Sequence, residues 1–234
     1  VTEWNVVAPA IDLLEDYRAH VRKMAFFAQD EWNVTSNWSV YAGFRWEGIE
    51  TQTSGDGIAT TSNRSGVASP LFQTLWKFPD KSGRQVRLAL TRTYKAPETS
   101  SLVPRISRST VNTPTAPDYQ MGNPALKPEL ATGVDVAYEH FFAKGASMSL
   151  SGSMRALRDY NTRGIFFVDG RWLSLPFNNG NAVTRSIEFD VKFPLQTVIE
   201  AAPPIDFRFN IARNFSRVDE VPGPNNRLDQ QVPL

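Results

Sequence analysis

MAFFAQDEWNVTSNWSVYAGFRWEGIE, residues 24–50, is the stretch whose reading decides the fold. In its second half Trp38, Val40, Ala42, Phe44 and Trp46 alternate with Ser39, Tyr41, Gly43, Arg45 and Glu47. A two-residue period marks a strand, because successive Cβ atoms leave opposite faces of the pleat. The apolar face carries a tryptophan at each end, as in a strand that crosses a bilayer with aromatics at both headgroup levels. Two residues eight positions apart lie ~26 Å apart along a strand. A tilt of ~40° reduces this to ~20 Å of height, slightly under the ~25 Å apolar band of outer-membrane barrels. One half of a soluble β-sandwich would show the same pattern, so the rest of the chain has to choose.

Composition narrows the choice. The chain has 234 residues, is 41% hydrophobic and contains no cysteine; its mean hydropathy is −0.33. Nothing approaches the ~20-residue apolar run of a membrane helix. A barrel needs no such run, since half of each strand faces polar solvent. A net charge of +1 gives no case for nucleic acid as a partner. No charged segment followed by an apolar one opens these residues, so no signal peptide is expected among them. The sequence reads as a piece of something longer.

Residues 1–20 fit either a short helix through Ile11, Leu13, Leu14 and Tyr17 or an irregular loop. Strands are predicted over 22–32 and 38–50, followed by a long exposed loop over the polar, Gly-rich residues 53–69. Further strands follow at 71–78 and 85–95, turned at 79–83. In the second of these Val86, Leu88 and Leu90 oppose Arg87, Ala89 and Thr91. A long Pro-containing connection, 96–128, comes next. Val134, Val136, Tyr138 and Phe142 then alternate with Asp135, Ala137 and Glu139, and a turn at 143–146 leads to Met148, Leu150, Gly152 and Met154. An excursion over 159–181 should carry its own hairpin at Asp169-Gly170. Two more strands alternate Ile187, Phe189, Val191 and Phe193, then Phe207, Phe209 and Ile211; the tail 218–234 is loop-like. About eight strands thus alternate short turns with long polar loops. A sandwich has no reason for that rhythm. An antiparallel transmembrane β-barrel, with short periplasmic turns and long extracellular loops, does.

At this point particular residues resemble a family. Asn123-Pro124-Ala125-Leu126-Lys127-Pro128-Glu129, opening a strand after a long loop, resembles an element of TonB-dependent outer-membrane receptors. FFAQDEW with AGFRWE, RLALTRTYKAPE (87–98), and Asn179-Gly180-Asn181-Ala182 leading to SIEFDVKF resemble the same barrels at corresponding places. Ser186 departs from the family, which often has Gly there. The resemblance covers about 24–215. It implies that the whole chain, 1–234, is part of one barrel domain of a Gram-negative outer membrane, without its plug domain and closing strands. It further implies outer-membrane lipid around the wall, and the receptor's own plug and TonB as partners. A scarce ligand, most often a ferric siderophore, would be the cargo.

Chemical motifs are sparse. There is no phosphate loop, HExxH, GxSxG or calcium loop. Asp30 and Glu31 are neighbours on a strand and point to opposite faces, which argues against paired-carboxylate chemistry. His140 falls on the apolar face near a turn. No catalytic residue, metal site, cofactor or enzyme activity is expected. Arg45, Glu47, Arg87, Glu139, Arg155, Glu188 and Asp190 fall on the inward face, where charges pair across strands or meet the plug or a ligand. In the long connections Arg105, Arg108 and Tyr119, with Arg163, Arg171 and Trp172, are candidates for an anionic, aromatic ligand such as a ferric chelate. Lys127-Pro128-Glu129 should fix the start of its strand, since Pro locks φ and needs no ladder donor. The competing readings are a self-contained small barrel or soluble β-sandwich adhesin, and a barrel enzyme, which the missing Ser-His or Asp-His arrangement disfavours.

Overall fold

The computed structural model describes residues 17–55, 58–80 and 82–219. The expectations for 1–16 and 220–234 lie outside them. Eight long strands form one antiparallel sheet: β1 (Tyr17–Thr35), β2 (Trp38–Gly55), β3 (Ile58–Lys77), β4 (Arg84–Lys95), β7 (Glu129–Ala143), β8 (Ala146–Arg158), β11 (Asn181–Pro194) and β12 (Asp206–Val218). Their order is β1-β2-β3-β4-β7-β8-β11-β12, each strand beside its predecessor, with β1 and β12 at the edges. Between β4 and β7 lie β5 (Ile106–Ser107) and β6 (Asp118–Gln120); between β8 and β11 lie β9 (Asn161–Val168) and β10 (Arg171–Asn178). These four short strands form a second sheet, β5-β6-β10-β9.

The register proves the alternation. Val40 pairs with Thr74, Thr74 with Leu88, Leu88 with Val136, Val136 with Gly152, and Gly152 with Ile187. Directly opposed residues project to one face, so Val40, Phe44, Leu88, Val136, Leu150 and Phe189 share it. Phe44, Val136 and Leu150 are 51%, 46% and 52% exposed, so no second sheet covers them and the sandwich is excluded. An apolar face this large on the outside belongs against lipid. Near its upper end the Trp46 ring lies over the cross-strand pair Gly48 and Gly66: a Cβ on Gly48 would come 2.8 Å from Cη2. Phe26 stacks on the same indole, 6.0 Å between ring centroids.

The opposite face is polar and concave. A cavity of about 580 Å³ is lined from Glu31 on β1 through Gln73, Arg87 and Asp135 to Glu188 on β11.

The described residues of 53–69 are strand, not loop. β2 runs on to Gly55 and β3 starts at Ile58, pairing continuously through Thr53–Thr61 and Gly48–Gly66. Above the apolar band both faces of a strand meet polar surroundings, so polarity no longer distinguishes strand from loop. At 18 and 20 residues, β2 and β3 are far longer than the ~9–11 residues that cross a bilayer. The strand expected from Arg22 likewise starts earlier, at Tyr17.

Candidate functional site

The connections at Ser36-Asn37, 78–83 and Lys144-Gly145 all leave one end of the sheet, joined by the longer 195–205 segment. The other end carries 96–128 and 159–180. Here the two long connections do not extend separately; they are knitted together. β9 and β10 form the hairpin expected around Asp169-Gly170, both at positive φ (50° and 76°) as a tight primed turn requires. β10 then pairs in parallel with β6, Leu173 opposite Asp118, and β6 pairs with β5.

Asp118 is the centre of this rim unit. It is wholly buried, and its carboxylate accepts from Arg171 Nε (2.8 Å) and Nη2 (2.9 Å), Arg108 Nη1 (2.8 Å) and the Ser109 N–H (2.8 Å). Arg171 foremost, then Ser109 and Arg108, hold its pKa far below the usual carboxylate range, and Asp118 raises that of Arg171 in return. Asn112, at φ 41°, works like a strand bridge: its side-chain Nδ2 donates to Trp172 O (2.9 Å) and its Oδ1 accepts from Trp172 N (2.8 Å). Asn tolerates the left-handed region better than most residues. Arg163 stacks 4.1 Å over the Tyr119 ring and donates to the carbonyls of Gln120, Met121 and Ser174. Trp172 packs against Phe167, 5.1 Å between centroids.

The Asn123–Glu129 element fastens this unit to the wall. Asn123 Nδ2 donates to Pro176 O (3.0 Å), and its Oδ1 accepts from Ala125 N (2.9 Å). Asn63 on β3 donates to both Pro124 O (2.7 Å) and Leu126 O (2.8 Å). Asn178 accepts from Lys127 N (2.9 Å) and donates to Lys127 O and Asp159 O. Glu129 accepts from Asn161 N (3.0 Å), and Lys95 pairs with Glu129 where β7 begins. Leu126 is 1% exposed; Leu102, Val103 and Val67 are buried as well. The long connection thus folds onto the wall and supplies much of the molecule's small apolar core. Gly122 makes that fold possible, since a Cβ there would sit 2.6 Å from the Ser101 backbone.

Among the rim candidates, Arg108, Arg171, Tyr119 and Trp172 meet in one unit. Arg105 adjoins it through its backbone, donating to Val103 O and accepting from Met121 N. The seven charged candidates all lie on the polar face. Arg155 forks Asp135 (2.7 and 2.8 Å) while lying across Gly133, where a Cβ would come 2.3 Å from Arg155 Cδ. Arg87 donates to Glu139 (2.9 Å), Arg45 to Glu47 (2.6 Å), and Asn210 to Glu188 (2.6 Å). Asp190 faces Ser149 and Asn210 across its neighbours. Sequence reasoning missed Asp118, Asn112, Asn178 and Asn63. Asp118 after Pro117 signals only a turn, the three asparagines lie in polar stretches with no motif around them, and the partners of all four are remote in sequence.

A curved antiparallel meander with an apolar outside, a polar concave side and a folded rim is the wall of a transmembrane β-barrel. The family described as TonB dependent receptor-like, beta-barrel matches residues 2–233, and the chain belongs to it. Among solved structures, the copper transporter OprC matches with a TM-score of 0.64 at 11% identity, over 85% of this chain and 30% of its own. The FrpB iron transporter from Neisseria meningitidis (F3-3 variant) matches at 0.60 and 10% identity, over 92% and 28%. The siderophore receptor PirA from Pseudomonas aeruginosa matches at 0.55 and 12%, over 87% and 44%. At these identities the likeness is one of fold, and this chain spans less than half of each matched protein. No curated protein matches it in sequence.

Proposed function

We propose that the chain is a wall segment of an outer-membrane, TonB-dependent transporter in a Gram-negative bacterium, and that its rim unit is part of the ligand-binding surface. The cargo of the complete receptor is a scarce metal chelate, most often a ferric siderophore, passed inward past the receptor's own plug with energy relayed by TonB. The observation that carries this reading is the rim unit itself. Two segments distant in sequence are folded into one sheet at the end opposite the short turns, on the wall of a receptor family. Copper, iron and siderophore in the neighbours' names support a metal or chelate as cargo. Around Asp118 two guanidinium groups share one carboxylate, which leaves net positive charge beside Tyr119 and Trp172. Arg108 is 63% exposed, so its remaining donors can meet an anionic ligand. Arg45, Glu47, Arg87, Glu139, Arg155, Glu188 and Asp190 line the lumen in this reading.

The test uses the full-length receptor with both Arg105 and Arg108 replaced by Ala. Ferric siderophore binding, followed by quenching of intrinsic fluorescence, should weaken while the folded barrel keeps its fast, heat-modifiable migration on a gel. Unchanged affinity and uptake would reduce these arginines to structural and solvated charges.

A further inference from the structure

The concave face is not uniformly polar. Above the charged cavity lies a second one of about 520 Å³, whose open surface is largely apolar around Phe27, Gly43 and Leu71, with Gln29, Tyr41, Arg45, Ser69, Thr91 and Thr93 at its margins. The register puts these side chains on the same face as Arg45, Arg87 and Asp135. Phe27 pairs with Arg45 and Gln29 with Gly43, while Gly43 pairs with Leu71 and Leu71 with Thr91. Phe27 is 69% exposed there. An exposed phenyl ring on the concave side departs from the polar pattern of this face, as Leu71 and Leu75 also do.

Gly43 lies at the centre of this island, and no backbone requirement explains it. The ladder runs through it without a bulge on either side, and its φ is not positive. A Cβ there would meet Gln29 Cβ at 3.5 Å, Tyr41 Cε1 at 3.7 Å and Ala28 O at 3.8 Å, all ordinary contacts, so the wall itself accepts a side chain. Gly133, on the same face, is roofed by its own Arg155. A glycine inside a regular strand weakens the strand and often marks a site where another chain approaches closely.

From this geometry we infer that the island Phe27–Gly43–Leu71 is the seat of an apolar side-chain cluster from the receptor's own plug domain, packed directly against the Gly43 backbone. The inference rests on the reading that the complete receptor holds a plug in its lumen. The occupant must come from inside the barrel, because the island faces the concave side. Its contact should be apolar, because the open surface is mostly apolar while Tyr41 donates to Gln29 and Arg45 to Glu47 within the wall. The charged zone below, from Glu31 to Glu188, then serves polar plug contacts, and the island fixes the plug's height against the wall.

The experiment uses the full-length receptor in planar bilayers, reading the urea concentration at which plug loosening opens a conducting pore. Gly43→Leu, which fills the cavity, and Phe27→Ala, which removes its exposed wall, should both shift pore opening to clearly lower urea. Ser153→Leu, a similar enlargement on the polar zone, should shift it less. Heat-modifiable migration confirms barrel assembly; Phe27→Ala, whose side chain is exposed, keeps the test alive if Gly43→Leu fails to assemble. Assembled variants that open at the wild-type urea concentration overturn the inference. So does weakened ligand binding with pore opening unchanged, which assigns the island to the cargo's route. A wild-type receptor that conducts freely without urea would instead undo the plug-containing reading on which the inference rests.

Discussion

The wall and the rim unit are both β-sheets, yet they are held together by different means. In the wall the eight long strands pair in chain order, with β4 against β7 and β8 against β11 across the two long connections, and the outward face is a continuous apolar surface that stays exposed in the isolated chain. Its specification is mostly local: alternation sets the face throughout, and short turns set the register of β1 with β2, β3 with β4 and β7 with β8. In the rim unit β6 pairs in parallel with β10 across more than fifty residues of sequence. The strands are two to eight residues long, too short to be stable as isolated hairpins. What assembles them is side chain to backbone bonding by Asn112, Asn123, Asn178 and Arg163, around the carboxylate of Asp118. A repeating pattern builds the wall; a few irreplaceable polar groups build the rim.

Breaking that difference is most direct at Asp118. Asp118→Ala leaves Arg108 and Arg171 facing each other without their shared carboxylate, with the Ser109 N–H unpaired. Hydrogen exchange should rise by an order of magnitude or more across residues 106–122 and 161–178, with β2, β3 and β8 unchanged. Equal loosening of the wall would mean that the two regions are one cooperative unit. Acid offers the same contrast without mutation. Because the folded pKa of Asp118 is depressed, its contribution is present above the ordinary carboxylate value of about 4 and is lost only as pH falls through the lower folded value. The rim, followed by Trp172 in a variant lacking the other tryptophans, should therefore stay assembled at that pH.

A smaller effect is expected at the fastening. Asn178→Ala strips partners from Lys127 N, Lys127 O and Asp159 O, and should cost the rim about 1–3 kcal/mol. Chemical denaturation read at the rim and at the wall should show only the first transition shifted. If both move together, the element starting at Asn123 holds the wall as well.

The smallest effect sharpens the rule by its exception. Tyr160, at the junction of β8 and β9, is 6% exposed, and its hydroxyl is buried without a hydrogen-bond partner. Tyr160→Phe should be neutral or stabilising by at most about 1 kcal/mol, because it removes an unpaired polar group and keeps the ring. Measurable destabilisation in the same denaturation assay would show that the hydroxyl does bond within the assembled receptor.

The sequence alone determined the wall. Period-two alternation over 38–46, 86–91, 134–142, 148–154, 187–193 and 207–211 specified strand positions, the shared apolar face and the polar face bearing Arg45, Arg87 and Arg155, because a strand's two faces meet different solvents. It failed at 53–69, where both faces of β2 and β3 are polar and the alternation falls silent. It placed Arg108, Tyr119, Arg171 and Trp172 on the same rim, from the rhythm of long and short connections. Only the tertiary structure decided what those residues do there. Arg108 and Arg171 converge on the same oxygen of Asp118, and Arg163 stacks on Tyr119. Such pairings join residues ten to sixty positions apart through single side chains, and they have no period to read. They exist only once folding has brought the two connections together.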